Sequence, residues 1–214
     1  DYAEQRIQLE KIKNDQLQTE LKFLKSQYHP HFLFNALNTV YFQIDESNKA
    51  PRRTLEMISE LLRYQLYGGN QKVSILQEID YLKTYIALRK LRMSERLRLR
   101  VEFPPELNEL NIYPLLFLPL VENAFKYVGG DYQLDIIMKW ENNRISLFIR
   151  NSIPELSAED EALRKSVDER QRKGIGLVNL RRRLSLLYPN KHRLETRKEE
   201  TEFVAELMIE IEDI

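Results

Sequence analysis

The chain has 214 residues, room for one or two domains, with 43% hydrophobic residues for a core and 31% charged residues for a solvated surface. Lys+Arg and Asp+Glu balance at 33 each, so no global field favours nucleic acid, and the absence of cysteine excludes disulfides and thiolate metal sites. No apolar stretch reaches membrane-spanning length, and a start at Asp1 inside a charged helical pattern reads as a fragment of a longer protein.

Residues 1–29 place Leu17, Leu21, Leu24 and Tyr28 at spacings of four, three and four, a coiled-coil seam with Asn14 as its polar register residue. The seam runs into LKSQYHPHFLFNALNTV, residues 24–40. Counting from His31 at helical period, Asn35, Asn38 and Phe42 share one narrow stripe, with Leu33, Ala36, Leu37, Val40, Tyr41 and Ile44 on the other side. The apolar arc needs a core, so His31 points outward or along a groove, where an imidazole can act as a nucleophile. Pro30 predicts a bend one residue earlier.

A polar break from Asp45 to Pro51 precedes a helix from about Arg52 to Tyr67, with Leu55, Ile58, Leu62 and Leu66 inward, and Gly68-Gly69-Asn70 stops it. Two helices with a short connection form an antiparallel hairpin, and a second copy closes a four-helix bundle. A helix from Leu76 to Met93 follows, with Ile79, Leu82 and Ile86 inward. From Leu97 to Phe103 the period changes to that of a strand, so the domain boundary is expected between residues 95 and 96.

In the second half, Tyr113 to Val128 reads as one buried helix. Strands 134–140 and 145–149 form a hairpin around Asn142-Asn143. A charged segment reaches Lys173, a helix runs from Gly176 to Tyr188, and a last hairpin ends the chain. Arg181-Arg182-Arg183 reads as that helix's wet face. The fold class is therefore α+β: a helical half, residues 1–95, and an α/β sandwich, residues 96–214, with helices on one face of a mixed sheet.

Two polar interruptions in this half suggest a ligand. Glu122, Asn123 and Lys126 break an apolar helix, where burial without partners is costly. Mg²⁺ with phosphate suits an Asn carbonyl beside a Glu, and Lys126 can neutralise phosphate. Further on, Lys173-Gly174-Ile175-Gly176-Leu177 opens a helix whose free N–H groups attract phosphate.

YHPHFLFNALN resembles the phosphoacceptor box of the LytS-like sensor histidine kinases, and PLVENAFKY and GIGLVNLRRRLSLLYP resemble the N box and G box of their GHKL-type ATP-binding domain. The resemblance implies a kinase that takes the γ-phosphoryl of ATP onto His31 and passes it to an Asp of a response regulator. It makes His31 the phosphoacceptor and Glu122 the residue assisting metal or imidazole; Asn35, one helical turn beyond His31, is read from its position as a third catalytic residue that orients the imidazole or the incoming phosphate. Asn123 would hold Mg²⁺. Lys126, Tyr127, Asn151, Ser152, Gly174, Ile175, Gly176 and Leu177 would contact nucleotide, with 153–173 as the lid. The chain would be a homodimer and the cytoplasmic portion of an integral inner-membrane protein, anchored only through a region upstream of Asp1.

There are departures from the family. His29 stands where Asn usually precedes the Pro, and Tyr127-Val128 replace a common His-Gly pair. The Asp that normally accepts from the adenine amino group is Asn151 here, and no glycine lies between Gly130 and Gly174. Weakened nucleotide binding is expected, and the alternative is a non-catalytic dimeric signalling scaffold.

Overall fold

A computed structural model describes residues 30–67, 71–105, 107, 110–154 and 175–211. The coiled-coil seam, the bend ahead of Pro30, Gly174 and nearly all of the expected lid lie outside them. The chain forms two compact units, Asp1–Tyr67 and Gly68–Ile214.

The first unit is a helical hairpin, α1 (Pro30–Gln43) and α2 (Lys49–Tyr67). The loop between them is tied by Asp45, whose carboxylate accepts from the Ser47 backbone N–H at 2.8 Å and from its hydroxyl at 2.5 Å. Pro51 falls in the first turn of α2, where a helix has no use for its N–H, so the helix starts before the proline. Leu33, Phe34, Leu37 and Tyr41 are half-buried. On α2 the enclosed residues are Met57 and Leu61, whereas the expected inward row of Leu55, Ile58, Leu62 and Leu66 is only half-buried.

In the second unit β1 (Val73–Ser74) leads into α3 (Ile75–Lys90), which is started by a capping box of Ser74 and Gln77. Its buried row, Ile75, Ile79, Leu82 and Ile86, joins the core shared with the sheet. This differs from the expected boundary at residue 95: α3 belongs to the second unit, and the division comes after Tyr67. An apolar helix face goes wherever its stripe finds a core, which sequence order does not say.

The remaining elements are β2 (Arg98–Glu102), β3 (Asn111–Ile112), α4 (Leu118–Tyr127), β4 (Gln133–Glu141), β5 (Arg144–Ser152), α5 (Ile175–Leu187), β6 (His192–Lys198) and β7 (Glu202–Glu210). β1 pairs with β3, and the large sheet runs β2-β4-β5-β7-β6, antiparallel except for β2 beside β4. The β4–β5 hairpin turns at Asn142-Asn143, both at positive φ, and pairs Glu141 with Arg144. Leu134, Ile136 and Met138 of β4, Ile145, Leu147 and Ile149 of β5, and Ala205, Leu207 and Ile209 of β7 all enter the core. The opposite face carries ion pairs, Arg150–Asp135 and Arg144–Glu210 among them.

α4 starts five residues later than its apolar run suggested. Leu115 adopts φ +58°, and Pro119 would crowd the carbonyl four residues back in a helix interior, so the helix begins with that proline in its first turn.

Candidate functional site

His31 lies exposed near the start of α1, with the side-chain amide of Asn35 3.1 Å from its Nδ1. The i, i+4 spacing stacks these side chains on one helix face. Asn38 and Phe42 continue the stripe, as expected from sequence. They line a groove of about 550 Å³ with Leu37, Tyr41, Leu55 and Ser59, all within this unit.

In the second unit α4 packs on β5 and against α5. Leu118, Val121 and Phe125 face inward, leaving Glu122 and Lys126 exposed and Asn123 half-buried. Surrounding protein nevertheless pushes the Glu122 carboxyl above the usual carboxylate range, and the Arg89 guanidinium opposes that. Arg89, on α3, lies 5.7 Å from the centre of the Phe125 ring, one helical turn along from Glu122, and its buried Nε has no hydrogen-bond partner among the described residues. Tyr85 is pushed up first by burial and then by the charge of Glu122. Lys126 Nζ lies 4.9 Å from the centre of the Tyr127 ring, so the two expected nucleotide contacts touch each other.

Asn151 comes near the end of β5 on the core side and is wholly enclosed. Its Nδ2 donates to the Ser152 carbonyl at 3.2 Å, while Oδ1 is buried with no partner among the described residues. Leaving such an acceptor unmade is costly, and a donor on a bound molecule would satisfy it. Ser152 has a different task. Its hydroxyl donates to the Gly129 carbonyl at 2.6 Å and accepts from Gln133 N–H at 2.9 Å, stapling the chain after α4 to β4 and β5. Gly129 and Gly130 complete the staple: a Cβ at 129 would fall 2.8 Å from Pro154 Cδ, and Gly130 has φ +58°.

At the start of α5, a Cβ on Gly176 would meet nothing among the described residues within 4 Å, so packing against them does not require glycine there. A first-turn helix amide suits an approaching phosphate. Leu177 packs partly on the core. Glu122, Asn123, Lys126, Tyr127, Asn151, Ser152, Ile175, Gly176 and Leu177 thus lie on α4, β5 and α5 of one unit, in which α4 packs against both of the others. His31 and Asn35 belong to the other.

An adenine amino group and a polyphosphate fit the Asn151 acceptor and the start of α5. Mg²⁺ fits less completely. No group of three or more His, Cys, Asp or Glu able to hold a metal occurs among the described residues, so Asn123 and Glu122 would need phosphate oxygens and water to fill the shell.

Sequence reasoning missed Glu78, Arg89, Arg183 and Tyr188. Glu78 had a signal: it interrupts the apolar row of Ile75, Ile79 and Leu82, and it is wholly buried. Arg183 had none, because its row of three arginines looks solvated. It is half-buried, and its Nη2 donates to the Pro114 carbonyl at 2.8 Å, while Arg181 donates to the Leu194 carbonyl.

Residues 19–97 match the family model described as histidine kinase. Over 180 residues, 82% of the chain, it is 29% identical to the sensor protein kinase HptS of Staphylococcus aureus strain USA300, and the same figures hold for strain NCTC 8325. The aligned part is 35% of those proteins, so the chain spans about a third of the length of the curated relatives it matches. Among solved structures, the histidine kinase AdeS of Acinetobacter baumannii aligns over 88% of this chain and 98% of its own, at 13% identity and TM-score 0.44. The catalytic domain of the histidine kinase ThkA covers 65% and 93%, at 18% identity and TM-score 0.43. These superpositions are too loose to carry an argument. The sequence matches are thus to histidine kinases, over residues 19–97 for the family model and over 180 residues for the relatives.

Proposed function

We propose that the chain is the phosphoacceptor and ATP-binding portion of a sensor histidine kinase of the LytS-like kind, with a GHKL-type second unit. His31 takes the γ-phosphoryl of ATP and passes it to an aspartate of a response regulator. The observation that carries this reading is His31 itself: an imidazole in the segment matching histidine kinases, open to solvent, with a carboxamide on its Nδ1. When the Asn35 amide turns its oxygen to Nδ1–H, the lone pair is left on Nε2, the nitrogen free to attack.

In the second unit Asn151 Oδ1 would accept from the adenine amino group, and the first-turn amides of α5 would meet phosphate. Lys126 would neutralise charge, and Asn123 with Glu122 would hold Mg²⁺, which would supply further neutralisation of phosphate charge. Catalysis in this scheme is positioning and charge neutralisation. Two copies would close a four-helix bundle around the hairpin, a reading supported by the large apolar side chains that α1 leaves exposed, Phe32 at 70% and Phe42 at 78%. The chain would be the cytoplasmic part of a membrane sensor; no helix among the described residues is long and apolar enough to cross a membrane.

The test is incubation with Mg²⁺ and γ-labelled ATP beside His31→Ala. Acid-labile label on the parent and none on the variant is expected. Absence of label on a folded parent would favour the non-catalytic scaffold, the second reading, whose supporting observation is a neutral amide in place of the base-recognising carboxylate.

A further inference from the structure

Ahead of α4 the backbone makes an irregular turn through Tyr113, Pro114 and Leu115. Each of these consecutive residues gives one backbone polar group to a side chain from another element. Tyr113 N–H donates to the Tyr188 hydroxyl oxygen at 3.2 Å, the Pro114 carbonyl accepts from Arg183 Nη2 at 2.8 Å, and Leu115 N–H donates to Glu78 Oε2 at 3.0 Å. The partners come from α3, from α5 and from just beyond α5. Leu115 holds φ +58°, which L side chains avoid, so the turn is imposed from outside.

The clamp is electrostatically matched. Glu78 is wholly enclosed, Tyr188 is 6% exposed and Arg183 is half-buried. Burial presses the Arg183 guanidinium below its ordinary pKa, while the charge of Glu78 and then Tyr188 push it back. A carboxylate removed from water needs such an opposite charge nearby. The Tyr113 and Tyr188 rings meet edge to face at 5.8 Å.

We propose that Arg183, acting with Glu78 and Tyr188 through the backbone of residues 113–115, is a positioning residue of the nucleotide site, setting the helix of Asn123 in register with the helix of Gly176. This rests on the ATP-binding reading above. α4 begins three residues after Leu115, so displacement of the turn moves Glu122 and Asn123 with it. Arg183 is seven residues beyond Gly176 on the same helix, about 10 Å along its axis, which joins the two halves of the site by one rigid element. Misplacing reacting groups by about 1 Å can cost on the order of a hundredfold in rate.

The experiment compares Arg183→Met, Glu78→Gln, their double variant, Arg183→Lys and the control Arg182→Gln in the full chain. It reads melting temperature, Mg-ATP affinity by calorimetry and the autophosphorylation rate. Each neutralising single variant should melt earlier, because it leaves one buried charge uncompensated, and the double variant should recover much of that loss. Affinity or rate in the double variant should nonetheless stay at least tenfold below the parent. Arg183→Lys keeps the charge facing Glu78 but not the planar guanidinium that reaches the Pro114 carbonyl, so it should keep much of the parent's melting temperature and lose rate. A double variant of recovered stability, or Arg183→Lys, that binds Mg-ATP and labels like the parent and Arg182→Gln would overturn the proposal while leaving the kinase reading intact. A parent that neither binds nor labels would overturn the kinase reading itself, and this proposal with it.

Discussion

The two units of this chain close their apolar surface to different degrees. Among the described residues the hairpin encloses only Met57 and Leu61, and it leaves Phe32, Val40, Phe42 and Tyr67 substantially exposed. The second unit buries one continuous core, in which α3, α4 and α5 cover a five-stranded sheet and side chains such as Phe117, Leu134 and Ile145 lose all contact with water. Two helices can cover each other on one side only, whereas a sheet with three helices across one face closes a core within a single chain. The hairpin leaves apolar surface open, whereas the second unit covers its own.

This contrast can be broken by mutation. The largest effect is expected at the sheet's centre, where Leu147→Ala removes a side chain 1% exposed. The second unit should lose roughly 3 kcal/mol of stability from transfer and cavity terms, read as a lowered denaturant midpoint. A loss under about 1 kcal/mol would mean that the core is less tightly filled than described.

The hairpin should respond oppositely. Phe32→Ser with Phe42→Ser should change the isolated chain's stability by no more than about 0.5 kcal/mol, as exposed substitutions do. Self-association in sedimentation should weaken sharply, since each buried Phe contributes about 1.5–3 kcal/mol to an interface that encloses it. Unchanged association would remove the exposed aromatic face from the proposed bundle.

A smaller change sharpens the ligand side of the contrast. Asn151→Asp supplies a charged acceptor where a neutral, unpartnered one stands. ATP affinity should rise by about 1 kcal/mol, several-fold, in a calorimetric titration. No change would indicate that position 151 does not meet the base.

The smallest effect is in the hairpin loop. The Ser47 hydroxyl, then its backbone N–H, hold the Asp45 carboxyl below its ordinary pKa. A depressed folded-state pKa contributes stability above the unfolded value of about 3.9 and loses it as pH falls through the folded value. Acid titration of the Asp45 resonance by NMR should give a midpoint below that of a model peptide. A midpoint at or above it would show that the loop contacts do not persist in solution.

Much of this was legible in the sequence because it depends on short-range order. The stripe of His31, Asn35 and Asn38 follows from helical period. The β4–β5 hairpin follows from alternation around two asparagines able to take positive φ. Even the unusual acceptor at Asn151 could be picked out, because it stands where the family's adenine motif usually has Asp. What could not be read joins residues far apart in the chain. Glu78 meets Leu115 across 37 positions, Arg183 meets Pro114 across 69, and Tyr188 meets Tyr113 across 75. A row of three arginines looks solvated until a buried carboxylate lies opposite one of them, and α3 looks like part of a helical bundle until a sheet claims its apolar face. Periodicity determines which side of an element seeks burial; only the folded chain decides what lies there, because that depends on which distant surfaces compete to cover it and which buried charges then require a partner.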